Sequence, residues 1–209
     1  MCSLPWPRKG DLLIGPPAQD RDESACVNWS WDLFGTYAMG YRKAAEVCFH
    51  YVAAERWDQD SLVYPIFFLW RHHVELMLKG LIRKAHQVRG EVGKFPKHHR
   101  VLALWREFRP ILESIAPVAA KEDREDLQNV EHVIKQLDAI DEESMTFRYP
   151  VTQKGEPTLP KELQHINLRN LHDVMDGIAT FLDAVDTMLD HRLDMKAEMD
   201  AEVPPIDES

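Results

Sequence analysis

The sequence is poor in the residues that build disulfide-stapled or redox-active proteins. It contains three cysteines, Cys2, Cys26 and Cys48, in no C-x-x-C spacing, and only nine glycines among 209 residues. Three widely spaced cysteines cannot all pair with one another, which is typical of a reducing compartment. With 44% hydrophobic residues and little glycine, the chain is also not a low-complexity disordered protein. We expect a globular cytoplasmic protein.

Long hydrophobic runs are missing as well. The uncharged stretch 62–70 is about half as long as a membrane span and leads directly into Arg71-His72-His73. The first residues, Met-Cys-Ser-Leu-Pro-Trp-Pro-Arg-Lys, lack the apolar run of a signal peptide. These two absences predict an intracellular protein with no membrane segment.

The familiar catalytic motifs are absent too. The sequence has no glycine-rich phosphate loop, no G-x-S-x-G elbow, no H-E-x-x-H and no pair of C-x-x-C knuckles. Alternating strand patterns are also missing. The function must therefore be inferred from local arrangements of polar residues rather than from a recognised catalytic motif.

Hydrophobic residues recur at three- and four-residue spacing in five segments, which predicts five helices. Short connections between them favour an all-α fold, an up-and-down bundle of four to five helices with a non-helical insert, 144–165, before the last helix. We expect an irregular N-terminal arm over 1–30, the bundle over 31–195 and a disordered acidic tail over 196–209.

Charge is distributed unevenly around the net value of −10. Residues 71–109 contain 10 basic and 3 acidic side chains, or +7, whereas residues 110–209 contain 9 basic and 23 acidic, or −14. The basic segment could hold phosphate locally, or it could pack against the acidic segment and be neutralised by it. The charge balance alone favours neutralisation.

One face of the second helix carries a polar stripe. At 100° per residue, six side chains fall within 120° of one another on a helix that is otherwise apolar: Arg71, His72, Glu75, Lys79, Arg83 and His86. Charged side chains on a buried helix need either an opposite charge as partner or a role in a functional site. Arg71, Glu75 and Lys79 follow i,i+4 spacing, so one hypothesis is a buried ion triad that fixes this helix against helix 5 or the insert. The other is a functional site.

The same helical geometry predicts which residues near the stripe lie in the core and which could bind a metal. His73 faces away from the stripe and is predicted to be a hydrogen-bonded core histidine, and Phe67, Phe68 and Trp70 are predicted to be core. His72-x-x-Glu75 could bind a metal with His98, His99 or His132, but Lys79 lies between them and would repel a divalent ion. We therefore predict no metal and no cofactor.

Two further segments are expected to converge on the stripe. His98 and His99 lie in the loop after the second helix, and Arg148 lies in Phe147-Arg148-Tyr149-Pro150, a segment that its aromatic residues should anchor. An arginine held in this way either clamps carbonyls and carboxylates or binds phosphate. The surroundings favour the clamp.

Together these residues resemble the HEPN superfamily of α-helical domains, over roughly residues 33–190. The similarity rests on Tyr64-x5-Trp70-Arg71-His72-x2-Glu75-Leu76-x-Leu78-Lys79, on His98-His99, on Leu104-Trp105 and on the Phe147–Pro150 segment. It implies a helical bundle, a homodimer, and work in RNA cleavage, toxin–antitoxin pairs or phage defence. The family's Arg-x4–6-His nuclease signature is absent: Arg42 to His50 and Arg124 to His132 have seven intervening residues.

Three functional hypotheses follow. The first is a non-catalytic or regulatory component of an RNA-targeting, toxin–antitoxin or phage-defence system, with a partner encoded nearby such as a nucleotidyltransferase or toxin. The second is a metal-independent endoribonuclease, whose candidate catalytic residues are Arg71, His72, His98, His99 and Arg148. Glu75, Lys79, Arg83 and His86 would then form the binding surface or polar core. The third is an interaction module whose acidic C-terminal half binds a basic partner.

Overall fold

The computed structural model describes residues 6–30, 32–91, 96–117 and 121–202, and the fold is all-α. The helices are α1 (Leu33–Glu55), α2 (Gln59–Val88), α3 (Val101–Ile115), α4 (Lys121–Ile140) and α5 (Leu168–Glu202). No β-strand occurs in these ranges, only an isolated bridge between Val151 and Pro157. The predicted helical bundle with a non-helical insert before the last helix is confirmed. Within the described ranges, none of the helices combines the length and hydropathy of a membrane span.

The chain forms two compact units, Met1–Leu33 and Phe34–Ser209. Over residues 6–30 the first unit has a single short 3-10 turn, Arg21–Glu23, and is otherwise irregular. A hydrogen bond from the Ala18 amide to Ser24 Oγ, 2.8 Å long, closes one of its loops. The second unit contains the helices that position the candidate site.

Helix α2 lies at the centre of the second unit and packs against α3 and α5, while α4 packs against α3. It begins at Gln59, where the carbonyl of Asp58 accepts the amide of Leu62 at 2.8 Å and closes the first turn. Pro65 consequently lies inside the helix. Along most of its length the side chains of α2 are buried, including Ile66, Trp70, Leu78 and Leu81. This burial explains why a charge on α2 needs a partner.

Helix α5 begins where the sequence predicts but ends later. The side chain of Asn167 accepts the Asn170 amide at 3.0 Å, as an N-cap does. The disordered tail predicted from residue 196 is wrong for 196–202, where α5 continues to Glu202. Lys196 Nζ donates to the last carbonyls of α2, Gln87 at 3.1 Å and Val88 at 3.4 Å, and these bonds hold the helix extension in place. The rest of the tail lies outside the described residues.

The insert between α4 and α5 is anchored by an aromatic residue. Phe147 is buried and stacks on Phe67 of α2, with ring centroids 3.8 Å apart. The hydroxyl of Thr158 donates to the carbonyl of Tyr149 at 2.6 Å and folds the second half of the insert back on the first. The segment that carries Arg148 is therefore held against α2.

Candidate functional site

Three members of the polar stripe form a buried ion triad on α2. The side chains of Arg71, Glu75 and Lys79 are 0%, 1% and 7% exposed. Arg71 Nη1 lies 3.0 Å from Glu75 Oε2, and Lys79 Nζ lies 2.9 Å from Glu75 Oε1. The i,i+4 pairing predicted from the sequence is confirmed. One carboxylate thus neutralises part of the charge of two buried cations.

Arg71 is a clamp on main-chain carbonyls. Its Nε donates to the carbonyl of Asp141 at 2.9 Å, and its Nη2 donates to the carbonyls of His99 at 2.8 Å and Glu142 at 3.3 Å. The triad therefore fixes α2 against the loop before α3 and against the segment after α4 that leads into the insert. Of the two predicted partners, helix 5 or the insert, the contacts are on the side of the insert. Since Arg71 is completely buried and fully engaged, it holds the site together and is no longer a candidate for direct contact with a substrate.

Asp141 extends this cluster to the insert. Its Oδ2 lies 3.5 Å from Arg71 Nε, and its Oδ1 accepts the amides of Met145 at 2.8 Å and Thr146 at 3.0 Å. These bonds order the turn that leads to Arg148, whose own amide bonds to the Met145 carbonyl at 3.1 Å. Asp141 is not among the residues predicted from the sequence. Its position directly after an apolar helix end, before a non-helical segment, was the available signal.

The ionised form of Glu75 is strongly favoured. Burial alone would raise its pKa, but the favourable contacts with His72, Lys79 and His99 outweigh burial and hold the pKa far below its usual range. Glu75 is therefore a permanent anion at neutral pH. A carboxylate in that state only accepts hydrogen bonds, so every nitrogen that bonds to it must donate.

His99 connects the buried carboxylate to solvent. Its side chain is 61% exposed, yet its Nδ1 lies 2.7 Å from Glu75 Oε1. Because Glu75 accepts, Nδ1 carries the proton, and the neutral imidazole keeps an unprotonated Nε2 on the opposite edge of the ring. A carboxylate that fixes the tautomer and orientation of an imidazole is the arrangement used to hold a general base. It equally holds a donor for an anion once the ring is protonated.

His72 lies on the other side of the same carboxylate. Its Nδ1 is 3.9 Å from Glu75 Oε2, which is too long for a hydrogen bond, and its side chain is 23% exposed. The ring packs edge-on against Tyr41, with centroids 4.4 Å apart, and parallel to Phe68 at 5.5 Å. Aromatic packing, and not the carboxylate, fixes the orientation of this second imidazole.

The clamp predicted for Arg148 is wrong. Arg148 is exposed, and its guanidinium lies over the rings of Phe68 and Tyr149, 5.6 and 5.4 Å from their centroids. The clamp belongs to Arg71, and Arg148 instead makes cation–π contacts and donates from Nη2 to Met145 Sδ at 3.5 Å. Phe68 contacts both Arg148 and His72. We call the exposed or partly exposed set His72, His99 and Arg148 the imidazole surface.

The remaining stripe residues are not part of this surface. Arg83 lies over the ring of Phe34 at 5.4 Å, and His86 Nδ1 lies 2.8 Å from Glu91 Oε2 near the end of α2. The hydrogen bond from His86 lowers the pKa of Glu91. His98, next to His99, extends toward Glu107, with Nε2 3.9 Å from its carboxylate. Of the two predicted loop histidines, the structure brings His99 to the triad.

Another buried charge on α2 was missed. Lys84 is 3% exposed, and its Nζ lies 2.7 Å from Asp186 Oδ1 and 2.9 Å from Asp190 Oδ1 of α5. Burial alone would lower its pKa, but the hydrogen bonds to both aspartates outweigh burial and raise it. We call this set the Lys84 cluster and the set Arg71, Glu75, Lys79 and His99 the Glu75 cluster. Aspartates four residues apart on a late helix were the signal that the sequence offered.

Part of the basic segment is neutralised by the acidic one, the arrangement that the charge balance favoured. Pairs between residues 71–109 and 110–209 include Lys84 with Asp186, Arg71 with Asp141, and Arg109 with Glu131. Arg100 pairs likewise with Glu142. Beside the Glu75 cluster, the side chains of His99 and Arg100 are exposed to solvent, and that of His72 is partly exposed.

His73 is a core histidine, as predicted. It is 1% exposed, and its Nδ1 lies 2.9 Å from the carbonyl of Ala38. Burial lowers its pKa, so the ring is neutral at pH 7. Phe67 and Trp70 are buried as expected, and Phe68 packs partly buried against the same core. In the described part of the chain, no three histidine, cysteine, aspartate or glutamate side chains converge as metal ligands would.

Compared with known proteins, the chain matches no family model, no curated protein and no solved structure. The resemblance to the HEPN superfamily therefore remains a prediction from the residues quoted above, and the site geometry carries the functional argument.

Proposed function

We propose that this chain is a HEPN-like bundle protein that binds RNA through the imidazole surface, as a regulatory, non-catalytic component of a cytoplasmic RNA-targeting, toxin–antitoxin or phage-defence system. The observation that carries the proposal is the 2.7 Å contact between exposed His99 and buried Glu75. The fold uses a fully buried ion triad to orient a side chain that is itself in solvent. The triad therefore does two things: it fixes α2 against the neighbouring segments, and it orients an imidazole that solvent can reach.

The chemistry of the imidazole surface suits a phosphodiester. Arg148 offers a planar fork of donors that matches phosphate oxygens, and a protonated imidazole donates to the same oxygens. The exposed Tyr149 under Arg148 adds a ring on which a base could stack. Local binding of this kind is compatible with a net charge of −10, because the Debye length limits repulsion to about 8 Å at physiological salt.

Fluorescence anisotropy with a labelled RNA oligonucleotide in EDTA and 50 mM salt tests the proposal. We expect Arg148→Ala and His99→Ala each to weaken RNA binding by about tenfold, as loss of a phosphate contact does. His86→Ala is the matched control, because His86 is also a surface histidine paired to a carboxylate but lies outside the imidazole surface. Equal RNA affinity in all three variants, or no binding by the wild-type protein, would contradict the proposal.

A second candidate function is metal-independent endoribonuclease activity. It is favoured by the pairing of His99 with an ionised carboxylate and by a second imidazole, His72, beside the same carboxylate. One imidazole would take the proton of the RNA 2′-hydroxyl, and the other would protonate the leaving 5′-oxygen. RNA incubated with the protein in EDTA would then yield 2′,3′-cyclic phosphate ends, which His72→Ala would abolish. Intact RNA under these conditions would contradict the ribonuclease function.

The third candidate is an interaction module for a basic protein, including one encoded nearby such as a nucleotidyltransferase or toxin. It has less support, because several acidic residues of the C-terminal half already pair within the chain. Asp176 and Asp183 pair with Arg42, and Asp186 with Lys84. Stable co-purification with a basic protein, without RNA binding, would favour this function over the other two.

A further inference from the structure

Helix α1 has an outward apolar face that is separate from the imidazole surface. Its inward row, Ala38, Ala45, Phe49 and Val52, is buried in the core. On the outer side, however, Tyr37 is 55% exposed, Val47 is 56% exposed and Tyr51 is 46% exposed. A surface helix of a monomer normally carries polar residues there. An apolar outer face indicates that something packs on it.

The spacing of this face is that of a helix-pairing seam. Apolar residues recur at alternating intervals of three and four along α1, which is the a/d pattern of a heptad repeat. We call these residues the α1 seam: Tyr37, Gly40, Ala44, Val47, Tyr51 and Ala54. At 1.5 Å per residue the seam is roughly 26 Å long. Such a pattern fits another straight helix better than an irregular loop.

The sizes of the seam residues are complementary to those of a second α1 seam in antiparallel orientation. In an antiparallel pair centred between residues 45 and 46, Tyr37 lies opposite Ala54 and Tyr51 opposite Gly40. Val47 then lies opposite Ala44. Each large side chain faces a small one, so the two helices interdigitate. A parallel pair would place tyrosine on tyrosine and glycine on glycine, leaving gaps beside clashes.

The charges of α1 do not oppose this pairing. Arg42 and Glu46 bond to each other, and Arg42 reaches across to Asp176 and Asp183 of α5, away from the seam. The seam itself contains no ionisable group other than the two tyrosine hydroxyls. Tyr51 Oη lies 3.3 Å from Asp58 Oδ2, so one of these has a partner within its own chain. Pairing would bury no uncompensated charge.

The area is sufficient for a dimer. Two half-exposed tyrosines contribute on the order of 100 Å² each, and with the smaller seam residues the pairing hides about 500 Å² per copy. The total of roughly 1,000 Å² meets the lower limit for a specific interface. A second copy of the chain supplies the complementary surface without any further partner.

We propose that the α1 seam is the interface of a two-fold symmetric homodimer in which the two α1 helices pair antiparallel. A two-fold axis places the same surface on both copies, as this self-complementary pattern requires. The proposal is independent of RNA binding, since the seam and the imidazole surface share no residue. Failure of one leaves the other testable.

Sedimentation equilibrium of the full chain tests the interface. The wild-type protein should sediment at twice the mass of one chain, and Val47→Glu should weaken the dimer on the order of a hundredfold by placing a charge in the seam. Met39→Glu is the matched control, because Met39 is 62% exposed on α1 but lies outside the seam. A monomeric wild-type protein, or equal effects of the two variants, would overturn the proposal.

Cysteine cross-linking tests the orientation and does not depend on the stability of Val47→Glu. In a background with Cys2, Cys26 and Cys48 replaced by serine, the double variant Ala44→Cys/Val47→Cys should form a covalent dimer on mild oxidation. Ala44→Cys alone should not, because residue 44 faces residue 47 and not itself. Cross-linking by the single variant, or none by the double variant, would contradict antiparallel pairing.

Discussion

Helix α2 carries two buried charge clusters that differ in sign and in surroundings. In the Glu75 cluster a 1%-exposed carboxylate is contacted by cations that are themselves buried. In the Lys84 cluster a buried ammonium is held by Asp186 and Asp190, whose side chains are 27% and 43% exposed. Removing Glu75 leaves cations that cannot reach water, whereas removing Lys84 leaves aspartates that can. Burial of the partners, more than the number of hydrogen bonds, therefore decides how much each cluster contributes to the free energy of unfolding.

The clusters also differ in what they present to the outside. The Lys84 cluster joins α2 to α5 through ion pairs and has no side chain that reaches the imidazole surface. The Glu75 cluster extends through His99 to solvent and through Asp141 to the turn before Arg148. We infer that the Lys84 cluster is structural and that the Glu75 cluster supports a functional surface.

The largest effect expected is that of Glu75→Ala. Because this variant strands Arg71 and Lys79 in the core, the free energy of unfolding should fall by about 3–5 kcal/mol. Urea denaturation followed by circular dichroism measures this value. Glu143→Ala removes an exposed glutamate and should change it by less than about 0.5 kcal/mol. A loss below about 1 kcal/mol in Glu75→Ala would contradict the triad as a stabilising unit.

The pH dependence of stability sharpens the same point. The pKa of Glu75 is held low in the folded protein, while an unfolded glutamate titrates near about 4.3. Its stabilising contribution is therefore complete above about pH 4.3 and is lost progressively as the pH falls toward the folded pKa. Unfolding measured from pH 6 to pH 3 should show a steep loss in the wild-type protein. Glu75→Gln should be less stable at pH 6, and its free energy of unfolding should fall less between pH 6 and pH 3. Parallel stability curves for the two proteins would contradict the low pKa of Glu75.

A smaller effect is expected from Lys84→Met. The methionine keeps the apolar stem, and the two aspartates can turn toward water, so the free energy of unfolding should fall by about 1–2 kcal/mol. Lys43→Met, at a lysine that is 72% exposed, should have almost no effect in the same assay. A loss in Lys84→Met as large as that in Glu75→Ala would remove the distinction between the clusters.

The elements that could be predicted from the sequence are those governed by local spacing. The helix positions follow from apolar residues every three or four positions, and the Arg71–Glu75–Lys79 triad follows from i,i+4 spacing. The cap at Asn167 follows from its side chain. Each depends on atoms within about one helical turn, so a single helix contains the information.

The parts that could not be predicted depend on how distant segments meet. The clamp on main-chain carbonyls was predicted for Arg148, and only the approach of Asp141 and His99 to α2 gives it to Arg71. His98 and His99 are neighbours with the same chemistry, and the direction of the loop selects His99. Helix α5 continues past residue 195 because Lys196 reaches the end of α2, a contact that tail composition does not reveal.

The central claim is that the Glu75 cluster supports a surface that binds RNA, and His99→Ala tests it most directly. RNA affinity and the free energy of unfolding are measured on the same preparation. We predict that RNA affinity falls about tenfold while the free energy of unfolding changes by less than about 1 kcal/mol, because His99 is exposed. Unchanged RNA affinity, or a loss of stability comparable to that of Glu75→Ala, would contradict it.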